Sequence, residues 1–593
     1  MAGSRAVPMA RLDPHSYTDS SQPQTRTLRW RARVDFERHV LDAEATLVFH
    51  QPGGGALDLD TRGLDVHAVT DAAGAPLAFA LDAPDPVLGA RLRVTLPEGS
   101  PSITVRYRTS PEATALQWLS PAQTAGKREP FLFSQCQAIH ARSVVPLQDT
   151  PRVRITYEAE LTVPAALRAL MAAAFVKREL QGATAVESWT MPQPIAPYLF
   201  AFAVGDVTSR DVGPRSRVWA EGSVVAAAQW EFADIDAHLV VGEKLFGPYD
   251  WDRFDVLVMP PSFPYGGMEN PRLTFVTPTL LAGDRSQVRV VAHELAHSWT
   301  GNLITNADAE HFWLNEGWTR YAELRIVEAT EGDDAGALHA ALGRRGLDRA
   351  VERFFKEGRP ELTRLRTHLA GIDPDDAFSE VPYDKGCLFL LALEAHVGRP
   401  RFEVFIREYI ARFRFGAITT EDFLGFTEER LPGALAAVDA PAWIDGHGVP
   451  ANAPVSRSTL LDAIESLGGT VPDVEVGSKW SPTEWQLYLD SVPHPVSYDT
   501  AKLLDTRFDL TRKTNYEVLC AWLLVALDAR YDAVLPRTEA LLGEVGRMKF
   551  LKPVYRALMS RPDTVAVARR AFERNAASYH PIARMVITPL VSG

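Results

Sequence analysis

The stretch "VVAHELAHSWTGNLITNADAEHFWLNEGWT", Val290 to Thr319, holds His293 and His297 four residues apart, Glu294 between them, and Glu316 nineteen positions after the second histidine. On a helix, residues four apart stand one above the other on the same face, so two imidazoles can reach one metal ion. Imidazole and carboxylate are zinc ligands at about 2.0–2.2 Å. Glu294 is turned about 100° from His293 on a helix of 3.6 residues per turn. It is poorly placed as a ligand and well placed to take a proton from the attacking water. A catalytic zinc needs a third protein ligand and an open fourth position. Glu316, on what reads as the next helix, supplies that ligand. The expectation is one Zn2+ per chain on His293, His297 and Glu316, with Glu294 as general base.

These residues need a scaffold. Read as a helix from Ser286 to Trp299, the first segment places Val288, Val291, Ala292, Leu295, Ala296 and Trp299 in one buried stripe, with Gly301 as its stop. Upstream, Leu28, Trp30, Ala32 and Val34 alternate with Arg29, Arg31 and Arg33, and Ile155, Tyr157, Ala159, Leu161 and Val163 repeat the pattern. Period-two alternation over the first two hundred residues predicts antiparallel sheets with one wet face. "PGGGA" near Gly53 lacks the GK[ST] of a phosphate loop and reads as a hairpin turn. Helical periods begin after about Gly205. "WIDGHGVPANAPVSRS" reads as a linker, and nearly everything beyond it as helix.

The predicted architecture is multidomain α+β. Residues 1–207 form an N-terminal antiparallel β-sheet domain, 208–448 a zinc catalytic domain, 449–457 a linker and 458–593 a C-terminal α-helical domain. A chain of 593 residues is too long for one core and suggests about three or four domains. Its net charge of -13 argues against a nucleic-acid partner. Cys136, Cys387 and Cys520 are odd in number and form no CxxC, which fits a reducing compartment. The start, "MAGSRAVPMARLDPHSY", has no apolar core of signal-peptide length. The longest apolar run, "VLCAWLLVAL", is about half of the ~20 residues that span a bilayer. A cytoplasmic protein with no membrane partner is expected.

The histidine–glutamate spacing with Asn315-Glu316-Gly317, the "PYGGMENP" of Pro264–Pro271 and the "SEVPYDKG" of Ser379–Gly386 together resemble the gluzincin aminopeptidases, the aminopeptidase N family. "LFSQCQAIHAR", "GGMENPRLTFVTPTLLAGD", "DPDDAFSEVPYDKG", "GRMKFLKP" and "ASYHP" look like its leukotriene-A(4) hydrolase-like branch, in order from about residue 130 to 580. The resemblance implies a thermolysin-like catalytic domain and a zinc aminopeptidase acting on short peptides with a free N-terminus. It implies Tyr383 as oxyanion donor, Glu269 and Gln137 as contacts of the substrate α-amine, and Tyr265 and Met268 beside them. Gly266 and Gly267, lacking side chains, let a peptide backbone approach. Arg547 and Lys549 match a carboxylate-binding pair, and Asp375 matches an acidic pocket position suited to an N-terminal arginine, with alanine and leucine left open as alternatives. Glu323, two turns beyond Glu316, is a candidate partner of a zinc histidine. The rival readings are an enzyme that also opens a lipid epoxide and a non-catalytic peptide binder. Phe378 and Ala309 stand where vertebrate members of the branch have tyrosine and tryptophan, which points away from clean epoxide opening. No ligand, base or tyrosine is missing, which points away from a non-catalytic relative.

Overall fold

The computed structural model describes residue 11 and residues 13–592. The reading of the N-terminal segment as lacking a signal core falls largely on residues 1–10, outside the described residues.

The alternation near the start produces the strand Thr25–Asp35, in which Leu28, Trp30, Ala32 and Val34 are buried and the arginines between them are exposed. It pairs antiparallel with Val40–Thr61, which pairs antiparallel with Ala90–Arg108. Trp30 Nε1–H donates to the Tyr107 hydroxyl at 2.9 Å, and that hydroxyl donates to the Val144 carbonyl at 2.8 Å, so the buried polar atoms are satisfied.

Two expectations are corrected. The sheet is not antiparallel throughout: Thr25–Asp35 runs parallel to Ile155–Pro164 on its other side. Between these strands the chain builds four further strands of the same sheet and two of a second, four-stranded sheet, and so returns by the long crossover that a parallel pair requires. "PGGGA" is not a hairpin turn. It lies inside Val40–Thr61, where the pairing with Ala90–Arg108 shifts register on both sides of Gly53. A Cβ on Gly53 would sit 2.3 Å from Pro23 Cγ, and Gly55 has φ +82°. The glycines absorb a bulge rather than reverse the chain.

A second architecture follows. Strands Val207–Asp211, Arg217–Glu221, Asp255–Val258, Leu273–Val276 and Gly267–Met268 form a five-stranded sheet in that order, with the two-residue strand Gly267–Met268 at its edge. The histidine helix is Val288–Ala296, shorter than Ser286–Trp299. Beyond Ala296 the chain tightens: Ser298 and Trp299 N–H groups donate to the Leu295 and Ala296 carbonyls, three residues back. His297 is therefore the C-cap, the residue just after the helix. Val291, Ala292, Leu295, Ala296 and Trp299 are buried as the stripe requires, while Val288 is half-buried.

The glutamate helix, Trp313–Glu331, is enclosed along most of its length. Trp318 stacks on Tyr409 with ring centroids 4.7 Å apart. Its Gly317 meets Gly386, at the start of the helix Gly386–Val397, where a Cβ on either glycine would lie 2.8 Å from the other's Cα. No side chain fits this crossing.

The stretch read as a linker begins inside a helix, Ala440–Ile444, where Trp443 is buried. Helices then continue to Ser592. The apolar run forms the buried helix Tyr516–Asp528. It packs in a core that also takes Leu338 and Ala341 from the long helix Asp333–Lys356, which ties this helical region to the centre of the molecule. Among the described residues, no helix is long and apolar enough to cross a membrane.

Gly317→Ala is expected to destabilise the fold by about 1–3 kcal/mol, the usual cost of overpacking a closed contact. The measurement is the denaturant midpoint of unfolding, and an unchanged midpoint would show that the crossing can open freely.

Candidate active site

The histidine helix and the glutamate helix bring three donors together. Glu316 Oε2 lies 3.5 Å from His293 Nε2 and 3.6 Å from His297 Nε2. These separations are long for hydrogen bonds, and Glu316 Oε2 is buried without a hydrogen-bond partner among the described residues. Two ligands of a tetrahedral ion at about 2.0–2.1 Å stand about 3.3–3.5 Å apart, so the spacing suits a shared metal. Glu269, Glu294 and Glu316 are all buried. Burial and the charge of Glu316 push Glu269 up to about 8. Burial also holds Glu294 well above the usual carboxylate range, against the pull of His293 and with Glu269 and Glu316 adding to it. A cluster of buried carboxylates short of positive charge is what a dication completes, and imidazole–imidazole–carboxylate is a donor set for zinc. A second grouping, Glu269–Glu294–His297, is also compact. There, however, Glu269 already accepts a hydrogen bond from Gln137 Nε2 at 3.1 Å, which leaves His293–His297–Glu316 as the better set.

Both imidazoles are held from behind. His293 Nδ1 lies 2.9 Å from Glu323 Oε2. Glu323 also receives Arg320 Nη1 at 2.8 Å and His339 Nε2 at 2.6 Å, and these partners keep it well below the usual range despite its burial. Thr319 Oγ1 donates to the Thr300 carbonyl at 2.6 Å, which leaves it an acceptor for His297 Nδ1–H at 3.1 Å. In both rings Nδ1 is engaged and Nε2 faces the centre, which fixes tautomer and direction. Gly301, at φ +116°, makes room: a Cβ there would lie 2.6 Å from His297 Nδ1.

The edge strand Gly267–Met268 runs beside this centre. A Cβ on Gly267 would lie 2.2 Å from Glu294 Oε1, and one on Gly266 would lie 2.8 Å from Arg547 Nη2. A side chain on Gly267 would displace the Glu294 carboxylate, and one on Gly266 would push the Arg547 guanidinium aside. Arg547 arrives from the helical region through a stitched loop, in which Gly546 N–H donates to the Pro261 carbonyl at 2.8 Å and Met548 N–H to Pro264 at 3.1 Å. Arg547 Nη1 and Lys549 Nζ both reach Glu517, at 3.2 and 2.7 Å. The Tyr383 ring is nearly parallel to that of His293, with centroids 6.1 Å apart. Asp375 is exposed and takes a hydrogen bond from His140 Nε2 at 2.9 Å.

All the site residues expected from the sequence line one open cavity of about 2140 Å³ between the N-terminal sheets, the central part and the C-terminal helices. Sequence reasoning did not single out Thr319, Arg320, His339, Glu517 or His140. Their roles rest on contacts with partners 16 to 235 positions away, except for the Arg320–Glu323 pair on one helix face. Only that (i, i+3) spacing carried a readable signal.

Three family descriptions match the chain: the peptidase M1 N-terminal domain over residues 14–199, the peptidase family M1 domain over 234–440, and the C-terminal domain of leukotriene A4 hydrolase over 480–590. A leucine aminopeptidase 2 of Yarrowia lipolytica is 38% identical over 563 residues, covering 90% of this chain and 86% of that protein. A leukotriene A-4 hydrolase of Xenopus laevis is 37% identical over 603 residues, covering 97% and 98%. The structure of native leukotriene A4 hydrolase from Saccharomyces cerevisiae superposes with a TM-score of 0.89 at 31% identity over 99% of both chains.

Glu323→Gln removes a charged acceptor from His293 and is expected to weaken zinc binding about 10- to 100-fold. Titration of metal-free protein against a chelating dye measures this, and an unchanged affinity would leave Glu323 with no part in holding the histidine.

Proposed function

The chain belongs to the M1 peptidase family, in its leukotriene A4 hydrolase/leucine aminopeptidase 2 branch, and is a metallo-aminopeptidase; from this premise we propose that it removes N-terminal residues from short peptides, using zinc on His293, His297 and Glu316 and Glu294 as general base. The observation that carries the reading is the placement of the buried Glu269, hydrogen-bonded to the half-buried Gln137, on the same cavity as the three metal donors. A buried carboxylate beside a hydrolytic centre is an acceptor for a free α-ammonium, and desolvated pairs of this kind contribute several kcal/mol.

When bound, zinc supplies Lewis-acid chemistry, polarising the scissile carbonyl and acidifying water. The protein's own groups do the rest. The substrate backbone lies along the free edge of Gly267–Met268, as an added strand does. Glu269, fixed by the Gln137 amide, holds the substrate ammonium, so that a single residue fits between it and the bond that breaks. Tyr265 and Met268 flank this position on the cavity wall. Glu294 takes a proton from the attacking water and passes it to the leaving amine. The Tyr383 hydroxyl donates to the oxyanion that forms on the former carbonyl. Arg547, its Nη2 beside Gly266, and Lys549 take the C-terminal carboxylate of a tripeptide. Asp375, oriented by His140, faces the side chain of an N-terminal arginine. The structure of a yeast leukotriene A4 hydrolase in complex with bestatin supports a site of this kind.

Glu294→Gln removes the base and none of the ligands. It is expected to keep the metal and lower kcat on a leucine chromogenic amide by about 10²- to 10⁴-fold. Metal analysis and steady-state kinetics on one preparation test this, and wild-type kcat would end the general-base role. Arg547→Ala is expected to raise KM for a tripeptide about 10- to 100-fold, as loss of a charge-assisted hydrogen bond does. The chromogenic amide, which has no carboxylate, gives the reference. Equal losses on both substrates would place Arg547 outside carboxylate recognition.

A further inference from the structure

The cavity is divided by charge. Its floor carries Glu269, Glu294 and Glu316. The wall built by the C-terminal helices carries five cations, Arg547, Lys549, Lys552, Arg556 and Arg584, against one carboxylate, Glu517. The asymmetry runs against the net charge of -13 of the whole chain.

Three of these cations lie in one stripe. The helix Met548–Met559 buries Leu551, Val554, Tyr555 and Leu558 in the C-terminal core. Lys549, Lys552 and Arg556, at spacings of three and four, stand on its other face and line the cavity. Glu517 satisfies Lys549 and Arg547. Among the described residues, Lys552, Arg556 and Arg584 have no carboxylate within 4.0 Å. Across the cavity Arg353 adds a further cation, held 3.9 Å from Glu380. Burial, with Arg556 and Arg353 adding to it, pulls the Lys552 ammonium down, while Glu380 and Glu357 oppose this only in part. Lys552, Arg556 and Arg584 thus add positive charge to a concave surface without an ion pair of their own among the described residues, so the field they make acts on whatever enters.

The dimensions say what that is. A helix rises about 1.5 Å per residue, so Lys549 and Arg556 are about 10 Å apart along its axis. An extended peptide covers that distance in about three residues at about 3.3 Å each. The stripe continues past the place where Arg547 and Lys549 would hold the end of a tripeptide.

We propose that Lys552, Arg556 and Arg584 form a subsite for acidic side chains in the fourth and later residues of longer peptides, so that the enzyme selects peptides carrying Asp or Glu downstream of the bond it cuts. The proposal rests on the aminopeptidase reading and adds a substrate class to it. An exposed ion pair contributes a factor of up to about 5, and less as salt rises. Exchanging attraction for repulsion at two or three cations should therefore give about 10-fold discrimination.

The test compares kcat/KM for Leu-Gly-Gly-Glu-Gly and Leu-Gly-Gly-Lys-Gly on the same enzyme preparation, so that the fraction of folded, metal-loaded enzyme cancels in the ratio. At low ionic strength the glutamate peptide is expected to win by about 10-fold, through KM, and the ratio to fall towards unity in high salt. The ratio should collapse in K552A/R556A and persist in the charge-conserving K552R/R556K. Equal values for the two peptides in the wild type, or an undiminished ratio in K552A/R556A, overturn the subsite. Hydrolysis of a leucine chromogenic amide with no discrimination between the peptides overturns the subsite alone. Failure to cut the amide or either peptide overturns the aminopeptidase reading and the subsite with it.

Discussion

Everything at the centre of this molecule depends on one electrostatic constraint: Glu316 is buried between two imidazoles with an oxygen that no donor among the described residues satisfies. A carboxylate in that position is costly unless a cation completes it. The surrounding architecture keeps the three donors at metal spacing instead of letting them relax into hydrogen bonds. Thr319 and Glu323 occupy the Nδ1 atoms, so neither ring can turn to meet the glutamate. The close crossing of Gly317 and Gly386 presses the glutamate helix against the segment that carries Tyr383, which couples the position of the ligand to that of the tyrosine. Gly267 lets Glu294 lie flat against the edge strand. The precision of the centre therefore comes from places where side chains are absent as much as from those where they are present.

Much of this was legible in the residues themselves, and the limits of legibility have physical causes. A period of two reports which side of a strand is buried, so Leu28, Trp30 and Ala32 were placed correctly. It carries no information on the direction of the neighbouring strand, so the parallel pairing with Ile155–Pro164 was invisible. Three glycines permit positive φ, which serves a bulge as well as a turn, and local sequence cannot choose between them. The histidine helix was recognisable from its stripe, but its early end was not, because the stripe continues to Trp299 while the N–H groups of Ser298 and Trp299 turn to carbonyls three residues back.

The candidate site divides in the same way. His293, Glu294, His297 and Glu316 could be read from spacing and ligand chemistry, since two helices suffice to present them. Glu269, Gln137, Tyr383, Asp375, Arg547 and Lys549 came from resemblance, because nothing local distinguishes an anchoring glutamate from a solvated one. Glu517 shows why: it lies 30 and 32 positions from the two cations it holds, on a different helix, and only the packing of the C-terminal region brings the three together. Pairings of this kind belong to tertiary structure and leave no mark on either segment.

The loop carrying Arg547 is fastened by backbone hydrogen bonds to Pro261 and Pro264, just before the edge strand that carries Glu269's neighbours. On the proposed reading, in which Glu269 and Arg547 hold the two ends of a tripeptide, both ends are gauged against one short piece of chain, although the two groups come from regions of the molecule nearly three hundred residues apart. Such an arrangement works as a calliper whose jaws share a hinge pin. If Arg547 is the outer jaw, repacking of the helices behind it would reset the length of peptide that fits while leaving the metal donors unaltered, so that substrate length would drift in evolution independently of the chemistry.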